Sequence, residues 1–116
     1  MARPILLYVG RIAVEKNIVD FLDMDTRYAK IVVGDGPLLE EYRETYDDIL
    51  FLGQRTAIEL AEIYRSVDIF VFPSKTDTLG LVNLEAMACG LPIIAYDLEN
   101  TRCIIQDGVT GVLVPE

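Results

Sequence analysis

Short apolar segments recur along the chain and alternate with segments of helical periodicity, and this alternation restricts the fold more than any other feature. Within each segment the residues are continuously apolar, which is typical of strands that are buried on both faces. Such strands belong to parallel sheets covered by helices. Strands are predicted at residues 5–9, 28–33, 49–52, 68–72, 92–95 and 112–114, and helices at 14–24, 37–46, 56–66, 81–89 and 101–106.

The repeated order of strand and helix predicts an α/β fold with a doubly wound, Rossmann-like parallel sheet of about six strands. A chain of 116 residues has room for one domain, and neither a repeat nor a linker divides it. We therefore expect a single domain over residues 1–116. In sheets of this type ligands bind at the carboxyl ends of the strands, so the loops that leave those ends are the candidate sites.

The composition excludes several kinds of partner. A formal net charge of -9 argues against a nucleic-acid surface or an anionic membrane surface, because both require clustered Lys and Arg. There is no histidine, so zinc and haem sites built on histidine are excluded. No apolar run reaches the roughly 18 residues of a membrane span, and the sequence Met-Ala-Arg-Pro has no signal-peptide pattern. We expect a cytoplasmic protein.

Two cations follow the first predicted strand. Arg11 comes directly after Gly10, and Lys16 lies near the start of the next predicted helix. Both would lie over the strand ends near the point where the strand order reverses, where a diphosphate could bind and Arg could contact it through two hydrogen bonds. The alternative is a solvated loop cation beside a lysine on a helix surface.

Glycines mark the ends of the second and third strands. In Gly34-Asp35-Gly36-Pro37 the two glycines allow a close approach of the backbone to a ligand, or simply a turn from strand to helix. The segment is not a dinucleotide fingerprint, because Leu39 occupies the position of the third glycine. The loop of Phe51, Leu52 and Gly53 could edge a nucleotide base or merely end a strand.

The most informative segment is 73–90, in which a polar loop leads through Gly80 into an apolar helix that Gly90 closes. The N–H groups of Gly80, Leu81 and Val82 would form an anion site at the start of that helix. Glu85 lies inside the apolar helix and requires partners there, either sugar hydroxyls or a local Arg or backbone N–H.

Asp23-Met24-Asp25 has the form of a two-aspartate metal motif. It lies at a predicted helix end, away from the carboxyl ends of the strands, and a chance match is easy in a chain with 19 acidic residues. We therefore predict no metal site and no other cofactor.

In this order, these segments resemble the C-terminal domain of glycosyltransferase family 4, whose members have the two-domain GT-B fold. Each match alone is weak, but the ordered set is specific. The form of 76–80 is closest to bacterial proteins similar to GDP-mannose-dependent mannosyltransferases and sulfolipid-type transferases. The matching segments are 8–11 with 15–16, 33–37, 51–53, 64–73, 77–90 and 108–111.

The resemblance implies that the domain binds a GDP- or UDP-linked sugar and that the full enzyme transfers the sugar with retention. Arg11 and Lys16 match residues that neutralise the donor diphosphate without a metal. Asp77 matches the acid near the donor sugar, and Glu85 matches the acid on the ribose hydroxyls. The remaining donor-binding residues that the resemblance implies are Gly34, Gly36, Phe51, Leu52, Gly53, Gly80, Leu81 and Val82.

The chain departs from the family pattern at several points. Asp77 stands where a longer Glu is usual, and Asp97-Leu98-Glu99-Asn100-Thr101-Arg102 replaces a glycine-rich turn. The family's N-terminal acceptor domain and closing helices are not in these 116 residues, so we expect the isolated domain to be inactive and to self-associate through exposed apolar surface. Peripheral membrane association of the full enzyme is also compatible with the resemblance.

Two alternatives stay open at this point. One is a non-enzymatic α/β module that kept the fold and lost the site. The other is a dinucleotide-dependent enzyme, which the missing fingerprint disfavours.

Overall fold

The computed structural model describes residues 4–25, 27–75, 81–102, 105, 108 and 111–115. Six parallel strands form one sheet in the order β3-β2-β1-β4-β5-β6. The prediction of a doubly wound parallel sheet is confirmed. The strands are β1 (Ile5–Val9), β2 (Ala29–Val33), β3 (Leu50–Gly53), β4 (Ile69–Phe72), β5 (Ile93–Tyr96) and β6 (Gly111–Val114).

In the described ranges five α-helices connect the strands, and their order along the chain follows the prediction. They are α1 (Ile18–Leu22), α2 (Leu39–Thr45), α3 (Ala57–Ser66), α4 (Leu81–Ala88) and α5 (Glu99–Arg102). The longest of them has 10 residues, and no helix among the described residues is both long enough and apolar enough to span a bilayer.

The strand order reverses between β1 and β4. Strands β1 to β3 extend the sheet in one direction and β4 to β6 extend it in the other, so the two halves of the sheet meet at the β1–β4 pair. In that pair Leu6 lies opposite Ile69, and Leu7 lies opposite Phe70. Since all strands are parallel, every carboxyl end lies at one edge of the sheet, and the loops that leave it meet there.

Successive residues of β1 enter different hydrophobic clusters on the two faces of the sheet. Ile5 and Leu7 pack in a cluster to which α3 and α4 contribute, whereas Leu6 and Tyr8 pack in a second cluster with α1 and α2. All four side chains are at most 6% exposed. The continuous apolar pattern therefore reflects burial on both faces, as predicted.

The predicted helix 14–24 is in fact two elements. A 3-10 turn (Val14–Lys16) is separated from α1 by Asn17, which adopts a left-handed conformation with φ 56° and ψ 30°. Asn tolerates this region better than most residues because its short polar side chain can form local hydrogen bonds. Apolar periodicity contains no signal for this break, so the prediction of one continuous helix is wrong here.

Other boundaries differ by smaller amounts. Helix α2 begins at Leu39 rather than at Pro37, and the N–H of Leu38 just before it donates to the carbonyl of Ile12 in the neighbouring loop. Helix α5 occupies Glu99–Arg102, ahead of the predicted 101–106, a range that falls partly outside the described residues.

Helix α3 begins where the sequence predicts it, with a capping box that the Thr-x-x-Glu spacing of Thr56 and Glu59 favours. The Thr56 side chain accepts a hydrogen bond from the N–H of Glu59 at 3.2 Å, and the Glu59 carboxylate accepts one from the N–H of Thr56 at 3.0 Å. The pKa of Glu59 is lowered, mainly by the hydrogen bond that its carboxylate accepts from the backbone N–H of Thr56. Two of the N–H groups that a helix start leaves without partners are thereby satisfied.

We expect Thr56→Ala to lower the free energy of unfolding by about 1 kcal/mol, because the helix loses its N-cap acceptor. Thr56→Ser keeps the hydroxyl and should stay close to the wild type. Urea denaturation followed by circular dichroism measures both variants. Equal stability of the Ala variant and the wild type would contradict the capping role.

Candidate functional site

The loops after β1 and β2 form one side of the carboxyl edge, and they contact each other backbone to backbone. The N–H of Ile12 donates to the carbonyl of Asp35 at 3.0 Å. A Cβ on Gly34 would lie 1.9 Å from the carbonyl oxygen of Gly10, and one on Gly36 would lie 2.4 Å from that of Ile12. The close approach that these glycines permit is therefore between two loops of the protein itself.

Arg11 lies in the loop after β1, which is held in place by its contact with the loop after β2. Its side chain is exposed, while the neighbouring Ile12 is fully buried and anchors the loop in the core. The hydroxyl of Tyr8 donates to the carbonyl of Arg11 at 2.8 Å, which fixes the backbone of the loop. The guanidinium group can therefore reach solvent and a ligand from a rigid base.

A cleft of about 310 Å³ lies beside Arg11, at the lower end of the volumes of small-molecule sites. Arg55 also lines this cleft, and sequence reasoning did not identify it. Its position two residues after Gly53, at the end of a strand, was a usable signal. Arg55 lies 3.5 Å from Glu59 at its closest polar atoms, a weak exposed pair. The lining residues are Val9, Gly10, Arg11, Val33, Gly34, Asp35, Gln54, Arg55 and Leu60.

The three predicted base-contacting residues have different surroundings. Phe51 is 8% exposed and packs in the cluster with α1 and α2, so its side chain belongs to the core. Leu52 is half-buried against the opposite cluster. Gly53 lies at the open strand end with φ 74°, and its carbonyl accepts a hydrogen bond from the N–H of Gly34. Gly53 directly precedes Gln54 and Arg55, which line the cleft.

Lys16 is half-buried and ends the 3-10 turn, immediately before Asn17. The amide nitrogen of Asn17 donates to the carbonyl of Pro73 at 2.9 Å, which ties the loop that follows β1 to the loop that follows β4. The turn that carries Lys16 therefore sits at the junction between the two halves of the sheet.

Glu85 is half-buried on α4, next to Ala86, which is fully buried. None of the described cations forms a salt bridge with it. Burial raises the pKa of Tyr64, and the negative charge of Glu85 raises it further, which indicates that the carboxylate lies near α3. A salt bridge to a local Arg would have left Glu85 unable to bind a ligand, and the described part of the chain contains no such salt bridge.

The remaining predicted residues of this loop and helix are only partly described. Asp77 and Gly80 lie outside the described residues. Leu81 and Val82 open α4, whose backbone is described. Their N–H groups are therefore at a helix start at the carboxyl edge, where the positive end of the helix dipole favours an anion.

A polar cluster that sequence reasoning missed joins α1 to the ends of β4 and β5. The carboxylate of Asp20 accepts a hydrogen bond from the amide of Asn17 at 2.8 Å and another from the hydroxyl of Tyr96. The Lys75 ammonium lies 5.0 Å from the centre of the Tyr96 ring. The hydrogen bond from Tyr96 lowers the pKa of Asp20, and the bond from Asn17 and the charge of Lys75 add to the effect. We call Asn17, Asp20, Lys75 and Tyr96 the junction cluster.

The Asp23-Met24-Asp25 segment ends α1 and has a structural role. Asp23 accepts a hydrogen bond from the Tyr46 hydroxyl at 2.6 Å, and this bond raises the pKa of Tyr46 to about 12. The buried Lys30 donates to the carbonyls of Leu22 and Met24, both at 2.8 Å. Among the described residues no group of three or more acidic, Cys or His side chains could hold a metal ion, and independence from metal stays a prediction.

In this domain two cations and the start of a helix lie where the strand order of a parallel sheet reverses. Nucleotides typically bind to α/β domains at this point. A family model described as Glycosyl transferases group 1 matches residues 3–116. The chain belongs to that family, which confirms the resemblance seen in its motifs.

Named relatives agree with this assignment. Sulfoquinovosyl transferase SQD2 of Arabidopsis thaliana is 38% identical over 96% of this chain and 23% of its own length. A GDP-mannose-dependent alpha-mannosyltransferase of Mycobacterium tuberculosis is 36% identical over 97% of this chain and 30% of its own length. The chain thus spans less than a third of either relative.

A solved structure has the same fold. The pneumococcal O-GlcNAc transferase GtfA, in complex with UDP and GlcNAc, is 25% identical to the chain with a TM-score of 0.75. The match covers 98% of this chain and 25% of that one. The fold prediction of a domain from a GT-B glycosyltransferase is confirmed.

We expect Gly34→Ala to destabilise the domain by about 2 kcal/mol or more, because the new methyl group would push the two loops apart. Gly53→Ala is the matched control: its φ is also positive, but no atom lies within 4 Å of the new Cβ. The control should cost only the backbone strain, about 1 kcal/mol. Thermal unfolding compares the two, and equal losses would show that the loop contact is not critical.

Proposed function

We propose that this domain binds the diphosphate of a nucleoside-diphosphate sugar at the carboxyl edge between β1 and β4, as the donor-binding part of a glycosyltransferase. The observation that carries the proposal is the position of Arg11 and Lys16. Both residues follow the end of β1, at the point where the strand order reverses. The chain belongs to the group 1 family.

Arg11 and Lys16 act as the positive partners of the diphosphate in this proposal. When the sugar is transferred, the bond between its anomeric carbon and the diphosphate oxygen breaks, and the electron pair stays on the diphosphate. The added negative charge is stabilised by two fixed cations and by the N–H groups of Gly80, Leu81 and Val82, which is an electrostatic role. A guanidinium group can contact two phosphate oxygens at once.

The acidic residues bind the sugars of the donor. Glu85 accepts hydrogen bonds from the ribose hydroxyls, and its half-buried position without a described salt bridge supports that role. Asp77 lies near the transferred sugar. The end of β3, with Phe51, Leu52 and Gly53, borders the base through its backbone, because the side chain of Phe51 is buried. Gly34 lines the cleft beside Arg11, and Gly36 allows the contact with Ile12 that holds the two loops together.

The donor is linked to GDP or UDP in this proposal. One relative is GDP-mannose-dependent, and one structural neighbour was solved with UDP, so both bases are candidates. Transfer in the full enzyme proceeds with retention at the anomeric carbon. Its acceptor site is supplied by a further domain, because the chain spans less than a third of the relatives named above.

Exposed apolar side chains support a partner that faces this edge. Val14 is 77% exposed in the loop after β1, and Ile58 is 76% exposed in the first turn of α3, after β3. An acceptor domain that covers the cleft would bury both. The isolated domain would self-associate through the same surface. A cytoplasmic location, with peripheral membrane association of the full enzyme, stays a prediction.

Calorimetric titration with UDP, GDP, UDP-glucose and GDP-mannose tests the proposal. We expect saturable binding of at least one of them and a loss of about tenfold or more in affinity in the Arg11→Ala/Lys16→Ala variant, because charged hydrogen bonds are lost. The double variant Arg27→Ala/Arg65→Ala removes the same charge from exposed positions away from this edge. It should bind like the wild type.

The outcomes separate the alternatives. Absence of binding to all four compounds would favour a non-enzymatic module with the same fold. Equal losses in both double variants would indicate a general charge effect and reject the assignment of Arg11 and Lys16 as diphosphate ligands.

The isolated domain should not transfer sugar, because the acceptor site and part of the catalytic machinery lie outside it. Incubating the 116-residue chain with GDP-mannose or UDP-glucose and acceptor mixtures should yield no product by mass spectrometry. Sugar transfer above the level of a heat-denatured control would overturn this expectation.

A further inference from the structure

We infer that Asn17 is a positioning residue that holds the Lys16 turn in register with the loop after β4, and that Asp20 and Tyr96 keep Asn17 in place. The inference rests on the proposed diphosphate site and adds a residue with no predicted role in it. The observations that carry it are two hydrogen bonds from one amide group and the backbone conformation at the same position.

The side-chain amide of Asn17 connects segments that are distant in sequence. Its nitrogen donates to the carbonyl of Pro73, 56 residues away, at 2.9 Å and to the carboxylate of Asp20 at 2.8 Å. An amide nitrogen carries two hydrogens, so both of its donor positions are used. One side chain thus ties the start of α1 to the loop that leaves β4.

The hydrogen bond between Asn17 and Pro73 lies beyond the last described backbone pair of β1 and β4. The described ladder between β1 and β4 pairs Leu6 with Ile69 and Leu7 with Phe70, and it does not continue to the carboxyl ends of the two strands. By contrast, β1 and β2 pair along their full length from Ile5 to Val9. Within the described residues, the two halves of the site are therefore joined at the carboxyl edge by side-chain hydrogen bonds rather than by backbone pairing.

The partner of Asn17 is itself fixed from the second half of the sheet. Asp20 accepts a hydrogen bond from the hydroxyl of Tyr96, which ends β5. The Tyr96 ring in turn lies under the ammonium group of Lys75. The junction cluster therefore draws residues from three separate segments of the chain, all at the same edge of the sheet.

The left-handed backbone at Asn17 has a direct effect on Lys16. It ends the 3-10 turn before α1 begins, so the direction of the Lys16 turn is set by Asn17 and not by a continuous helix. In the proposed site the cation of this turn and the N–H groups that open α4 must reach the same diphosphate. Their separation depends on the hydrogen bond between Asn17 and Pro73.

Replacing Asn17 with different residues separates its two roles. Asn17→Gly accepts the left-handed backbone but has no side chain, so the domain should keep its fold while the tie is lost. Asn17→Asp also tolerates this backbone conformation, but its carboxylate cannot donate to Pro73 and would face Asp20. Both variants should bind UDP or GDP, whichever binds the wild type, about fivefold more weakly, the loss expected for one hydrogen bond.

A double-mutant cycle shows whether Asn17 acts through Lys16. NMR titration gives affinities for the wild type, Asn17→Gly, Lys16→Ala and the double variant. If Asn17 positions Lys16, then Asn17→Gly should weaken binding in the wild type but not further in the Lys16→Ala background. A purely structural role would lower affinity equally in both backgrounds, and that result would overturn the inference.

Other outcomes are equally informative. Wild-type affinity in Asn17→Gly would reject the inference and leave the proposed function intact, whereas no binding by the wild type would reject both. If Asn17→Gly fails to fold, Tyr96→Phe replaces it in the cycle, because it keeps the ring below Lys75 and removes the hydroxyl that donates to Asp20. Undiminished affinity in Tyr96→Phe would then overturn the inference.

Discussion

Burial of the central strands on both faces is the constraint on which the rest of the structure depends. Leu7, Val32, Phe70 and Ile93 come from four adjacent strands, and each is fully buried. A strand in that position must be covered by helices on both sides, and the crossover rule then fixes where each helix returns. The carboxyl ends consequently share one edge, and the segments that carry Arg11, Lys16 and Glu85 all follow strands that end at that edge.

Features with local causes were predictable from the sequence. The strands follow from continuous apolar runs, and the start of α3 follows from the Thr56 and Glu59 spacing, both of which the structure confirms. The position of Arg11 beside the end of β1 was also predictable, since it depends on the strand that precedes it. For these elements the nearest neighbours in sequence determine the structure.

Features that depend on distant residues were not predictable in the same way. Asn17, at the break before α1, donates to a carbonyl 56 residues away, and Asp20 accepts a hydrogen bond from a tyrosine 76 residues away. The glycines of the β2 loop were recognised as sites of close approach, but the sequence could not say that the approaching group is the loop after β1. Pairwise contacts of this kind become visible only once the sheet order is known.

The contact between the loops after β1 and β2 also limits how the pocket can be altered. Gly34 and Gly36 have no room for a side chain, so those two positions cannot be varied without separating the loops. Besides Arg11, the lining residues with exposed side chains are Asp35, Gln54 and Arg55. Substitution at those three positions can therefore reshape the cleft while the glycine pair and the contact between the loops stay untouched.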